Sequence, residues 1–151
     1  MDYIVLPISF GPRVLNRSAS RHKLVRVHDS EVYPAIGEDG FRRLVAAFYR
    51  QVPADDILGP MYAGRDLAEA EERLRDFLVF RFGGPQRYIE NRGHPRLRMR
   101  HAPFAVDQAA RNRWMQLMEH ALDEVALPDE PARVLRAFFS TTATFLVNRG
   151  S

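Results

Sequence analysis

From residue 38 onward, apolar residues return every three or four positions, the spacing that lines them along one face of a helix. Phe41, Leu44, Val45, Phe48 and Val52 form the first stripe, and Pro53 stops it, since proline lacks the amide donor and crowds the preceding turn. A short connection with Gly59, Pro60 and Gly64 follows. Asp66 has the short acceptor side chain of an N-cap, and Leu67, Ala70, Leu74, Phe77 and Leu78 make a second stripe behind it. Gly83-Gly84-Pro85 ends that helix. A third helix is predicted after Asp107, with Trp114, Leu117, Met118, Ala121, Leu122 and Val125 inward. After Pro128 a fourth carries Leu135, Phe138, Phe139, Thr142 and Leu146. Residues 85–106 show no stripe: Pro85, Gly93, Pro95 and Pro103 stand among five arginines, and the stretch reads as irregular. Nothing alternates convincingly with period two, and no internal repeat is visible. The pattern predicts an all-α chain of four helices, which an ordinary bundle also satisfies.

Residues 1–32 break this pattern. Pro7, Gly11 and Pro12 are followed by Arg13, Arg17, Arg21, His22, Lys23 and Arg26, with no apolar stripe. The run Tyr3-Ile4-Val5-Leu6 is too short for a signal-peptide core, and no basic region precedes it. The segment is expected to be a flexible N-terminal extension, with one folded domain over 33–149.

At 151 residues and 46% apolar content the chain is long enough for a single domain, which buries about 70% of its unfolded surface at this size. It has no cysteine. Disulfides, thiolate metal sites and covalent cofactor attachment through cysteine are therefore excluded, and a reducing cytoplasm is the expected location. No apolar run approaches the ~20 residues that cross a bilayer, so no membrane insertion is expected. Net charge is +3. That is small and locally clustered, so nucleic acid is not an expected partner.

Little conventional machinery is available for chemistry. His94 and His101 lie seven apart without an HExxH frame, so no zinc site is marked. There is no GxSxG nucleophile and no glycine-rich phosphate loop. His101, in Arg100-His101-Ala102-Pro103-Phe104, remains. One neutral imidazole can hold the iron of a haem from one side, although a lone histidine beside an apolar stretch is more often structural. Tyr49, Tyr62 and Trp114 each have an apolar body and a polar tip. Their tips can converge on a small ligand, or all three can be core aromatics.

Longer motifs separate these alternatives. Ala70-Glu71-Glu72-Arg73-Leu74-Arg75, then Phe77-Leu78, then Gly83-Gly84-Pro85, then the block Arg92-Gly93-His94-Pro95-Arg96-Leu97-Arg98-Met99-Arg100-His101-Ala102-Pro103-Phe104, resemble the group II truncated haemoglobins, a family of bacterial truncated globins. Phe48-Tyr49 and Trp114 fall at the family's spacing, and the similarity spans about residues 33–149. The resemblance implies a two-over-two helical sandwich holding haem b between helix pairs, with His101 as the proximal ligand of a five-coordinate iron. It implies that Tyr49, Tyr62 and Trp114 donate hydrogen bonds to a bound gas, and that Ala70 and Leu74 face that gas from the distal helix. Phe48, Leu67, Phe77, Leu97, Phe104 and Met118 are the implied apolar contacts of the cofactor. Arg73, Tyr88, Arg92 and His94 match positions near its propionates. Arg81-Phe82 replaces the family's usual Tyr-Trp, so Arg81 is a candidate further propionate partner. Arg87, Arg96 and Arg98 read as a solvated basic face. The glycine pair usual near the first helix is reduced to Gly37.

The function so implied is reversible binding of oxygen, and of NO and CO. The alternative is a nitric oxide dioxygenase or peroxidase-like enzyme fed by a separate reductase; a homodimer also stays open. A third reading is a haem-free helical sensor or scaffold.

Overall fold

The structure, a computed structural model, describes residues 26–150. Most of the expected extension, residues 1–25, lies outside the described residues. Among the described residues the chain forms a 3-10 turn (Asp29–Glu31) and then seven helices: α1 (Val32–Gln51), α2 (Leu58–Tyr62), α3 (Leu67–Arg81), α4 (Arg87–Arg92), α5 (Leu97–His101), α6 (Gln108–Val125) and α7 (Asp129–Phe145). The four apolar stripes became the long helices α1, α3, α6 and α7. Asp66 and Asp107 cap as their side chains suggest, accepting from the amides of Glu69 at 3.2 Å and Ala110 at 2.8 Å. The first stripe begins at 38 because Gly37 interrupts α1 with φ 67° and ψ 178°, a conformation a side chain would resist.

The long helices form two layers, α1 with α3 and α6 with α7, joined chiefly where α1 lies on α6. This is the two-over-two sandwich. Phe41, Leu44, Val45 and Phe48 of α1 meet Leu78, Met118 and Leu135 in the fully buried centre. None of the described helices is long and apolar enough to cross a membrane.

Two expectations need correction. Residues 85–106 are not irregular: they hold α4 and α5, which at 6 and 5 residues are too short to display a helical period. Arg87 is not part of a solvated face. Its guanidinium bridges Glu38 of α1 and, at 3.6 Å, Asp76 of α3, a carboxylate only 6% exposed. A carboxylate so buried needs a nearby cation, and Arg87 brings α4 with it.

The turn before α1 and the first residues of α1 close against the end of α3. The amide of Tyr33 donates to the Phe82 carbonyl at 3.0 Å, and Val32 is fully buried. Gly83 (φ 97°) makes that approach feasible, because a Cβ there would sit 2.3 Å from the Ser30 carbonyl oxygen. Gly83→Ala is therefore expected to destabilise the chain by about 1–3 kcal/mol in urea unfolding. Gly64→Ala, also at positive φ (75°) but with open space around it, should cost less.

Candidate functional site

Between α3 on one side and α6 and α7 on the other lies a cavity of about 450 Å³, floored by α5. Leu97 and His101, four residues apart on α5, share its inward face and both line the cavity. The Nδ1 of His101 lies 2.7 Å from the carbonyl oxygen of Leu97. A carbonyl can only accept, so Nδ1 carries the proton and donates. In the neutral ring the lone pair then belongs to Nε2, the state in which an imidazole binds a metal.

The five expected distal residues all line this cavity: Tyr49 from α1, Tyr62 from α2, Ala70 and Leu74 from α3, and Trp114 from α6. Arg73, Phe77, Tyr88, Leu97 and Phe104 join them. The other expected cofactor contacts do not line it. Phe48 and Met118 are fully buried behind the wall, where the Phe48 ring supports Tyr49 and Trp114 at 5.0 Å each. Leu67 is half-buried at the start of α3. Arg81 turns to Asp29 at 2.9 Å and stacks over Phe82 and Phe138. His94 accepts the Arg96 amide through Nδ1 at 3.1 Å, and the Arg92 carbonyl accepts from Arg100.

Several lining residues escaped the sequence reading. Phe138, Phe139, Thr142 and Leu146 were placed on the inner stripe of the last helix, but periodicity does not say which part of an inner face borders a void. Arg65, Arg100 and Arg111 also line the cavity, and nothing in their spacing marks them. Arg100 is engaged with backbone, donating to the carbonyls of Pro95 (2.7 Å), Arg92 (2.8 Å) and His94 (3.3 Å). Arg111 donates to Ser140 Oγ at 2.9 Å and Thr144 Oγ1 at 3.1 Å.

Burial drives the Tyr49 phenol far above its usual range, and the neighbouring Tyr62 adds to the effect. Tyr62 is raised by burial as well, with Tyr49, Arg73 and Arg65 pulling it partly back. Both phenols thus stay protonated, and able to donate, through all physiological pH. Their rings meet edge to face with centroids 5.8 Å apart.

A haem fits this donor set. The described residues contain no group of three His, Cys, Asp or Glu side chains able to hold a metal, so an iron here must bring most of its own ligands. A macrocycle does so; Phe77, Leu97 and Phe104 offer it apolar surface, and guanidiniums such as Arg73 offer partners to its carboxylates.

Comparison with known proteins points the same way. A sequence profile described as bacterial-like globin matches residues 31–148. The group 2 truncated haemoglobin YjbI of Bacillus subtilis is 37% identical over 117 residues, covering 78% of this chain and 88% of its own. A thermostable haemoglobin from Thermobifida fusca superposes with a TM-score of 0.75 at 47% identity, covering 78% of this chain and 96% of that one. The truncated oxygen-avid haemoglobin from Bacillus subtilis superposes at 0.74 with 37% identity, over 78% and 98% of the two chains.

The raised phenols make a prediction about alkaline stability. A phenol with a folded-state pKa above its unfolded value near 10.0 stabilises fully below that pH and loses its contribution as pH rises beyond it. Urea midpoints of the chain without cofactor should fall between pH 9 and pH 11, roughly the window that brackets an ordinary tyrosine pKa. In Tyr49→Phe the fall should be smaller.

Proposed function

The chain belongs to the bacterial-like globin family, and from that membership we propose that it binds haem b through His101 and reversibly binds dioxygen, as well as NO and CO, at a five-coordinate iron. The observation that carries this reading is the 2.7 Å contact between His101 Nδ1 and the Leu97 carbonyl, which leaves Nε2 as the ligating nitrogen. With no cysteine in the chain, no thioether can form, so the haem is held without a covalent tie. Haem, when bound, would be held by the His101 imidazole and would supply an iron able to bind a diatomic gas.

The remaining work falls to the residues around it. Trp114 and the two phenols supply hydrogen-bond donors to the gas-binding space, and indole can only donate. Ala70 offers no donor, and with Leu74 it keeps the space apolar and small. Arg73 and Tyr88 stand at the cavity for the haem carboxylates, and Arg92, which ends the helix that carries Tyr88, and His94 just after it are further partners for them. Phe48, Leu67 and Met118 act behind these contacts, by packing. Arg81 is tied to Asp29 and best holds the end of α3. The oxygen reading draws support from similarity to the oxygen-avid haemoglobin of Bacillus subtilis.

Two measurements test this function. After reconstitution with haem the purified chain should show a Soret band, and His101→Gly should lose stably bound five-coordinate haem. An unchanged spectrum in that variant rules His101 out as the ligand. Trp114→Phe should release oxygen about tenfold faster or more, as expected for losing a charge-assisted hydrogen bond worth roughly 1.5 kcal/mol. An unchanged off-rate would remove Trp114 from the gas-binding role.

A further inference from the structure

Most arginines elsewhere among the described residues lie beside carboxylates (Arg26, Arg111 and Arg149 are the exceptions), and those around α5 do not. Arg42, Arg43, Arg50, Arg113, Arg133 and Arg136 each lie within ion-pair distance of an Asp or Glu. Arg65, Arg92, Arg96, Arg98 and Arg100 have no such partner among the described residues. Their convergence follows from the short helix. With Leu97 and His101 turned to the cavity, Arg98, Met99 and Arg100 are left on the exposed side of α5. Arg96 precedes them at the N-cap, and Arg92 ends α4.

Three of these five cations are held in place without being neutralised. Arg100 is pinned by the three carbonyls of Arg92, His94 and Pro95. Arg65 stacks 4.2 Å over Phe104, and Arg98 stacks 4.7 Å over Phe145. Met99, within this group, is 58% exposed and is the one large hydrophobic exposed among the described residues. Arginine and methionine are both enriched in protein–protein contacts, and side chains already held lose less freedom on association. A lipid surface would need an apolar face to insert, and Met99 alone does not provide one. Single-stranded nucleic acid would need open aromatic faces, whereas guanidiniums already cover Phe104 and Phe145.

We propose that this arginine face docks an acidic one-electron carrier protein that keeps the haem iron reduced. The proposal rests on the haem reading above. One electron passes from the reduced carrier to ferric iron, giving ferrous iron and the carrier oxidised by one electron; no atom is transferred. Arg65 and Arg100 belong both to this face and to the cavity lining, so a carrier seated there stands beside the haem. The haem's two carboxylates offset part of the positive charge and leave the face cationic. Complementary charge of this kind speeds encounter and fixes orientation.

The test is titration of the haem-loaded chain with a plant-type [2Fe–2S] ferredoxin, an acidic one-electron carrier, at low and high salt. Arg96→Glu and Arg98→Glu, neither of which lines the cavity, should each weaken binding about tenfold, whereas Arg133→Glu on the paired surface should not. Binding of the native chain should weaken with salt, and reduction of ferric haem by reduced ferredoxin should slow in step with affinity. Circular dichroism and the Soret band establish that each variant is folded and loaded. Equal affinity in all variants, or no binding by a native chain that shows its Soret band, overturns the docking proposal alone. Tighter binding to phosphatidylglycerol vesicles or to single-stranded RNA than to ferredoxin overturns it in favour of those partners. Absence of the Soret band in the native chain removes both the haem reading and this proposal.

Discussion

An imidazole can offer a cavity only one lone pair, and in this chain the choice is made by the hydrogen bond from His101 Nδ1 to the Leu97 carbonyl, 2.7 Å long. That bond lies within a helix of five residues, far too short to be stable alone. The surroundings hold it from both ends. Arg100 fastens α5 to the carbonyls of Arg92, His94 and Pro95 before it. Asn148, beyond α7, donates through Nδ2 to the carbonyls of His101 at 3.2 Å and Phe104 at 3.0 Å. The histidine is thus set by side-chain contacts to backbone carbonyls reaching from residue 92 to residue 148.

The polar tips of Tyr49, Tyr62 and Trp114 are set by packing instead. Tyr62 meets Tyr49, Tyr49 meets Phe48, Phe48 meets Trp114 and Trp114 meets Phe139, with ring centroids between 5.0 and 5.8 Å throughout. Each such pair contributes roughly 0.5–1.5 kcal/mol beyond its buried area. Phe48 does not itself line the cavity, yet it is the ring between a phenol and the indole. Burial that fixes these rings also keeps the phenols protonated, so one constraint provides both geometry and proton state.

The long helices were legible because an apolar stripe needs three or four turns to declare itself, and α1, α3, α6 and α7 have them. Asp66 and Asp107 were legible as caps because their role is local. α4 and α5 were not: neither fills two turns, and each is held by distant partners such as Glu38, Asp76 and Asn148. Arg87 was misread for the same reason, since its acidic partners are 49 and 11 residues away in sequence. Periodicity placed Ala70, Leu74 and Trp114 on inner faces, but the roles expected of them and of Tyr49, Tyr62 and His101 came from resemblance to a family. Arg65, Arg100 and Arg111 were missed because side-chain length lets an arginine reach a cavity from a position that looks like surface.

Resonance Raman spectroscopy of the ferrous, haem-loaded chain tests the central claim most directly, because it observes the bond between iron and its protein ligand. If His101 holds the iron, the spectrum shows a low-frequency iron–imidazole stretching band that shifts when the histidines carry ¹⁵N and is absent from His101→Gly. A native spectrum with no histidine-sensitive band, or one that survives unaltered in that variant, would contradict it.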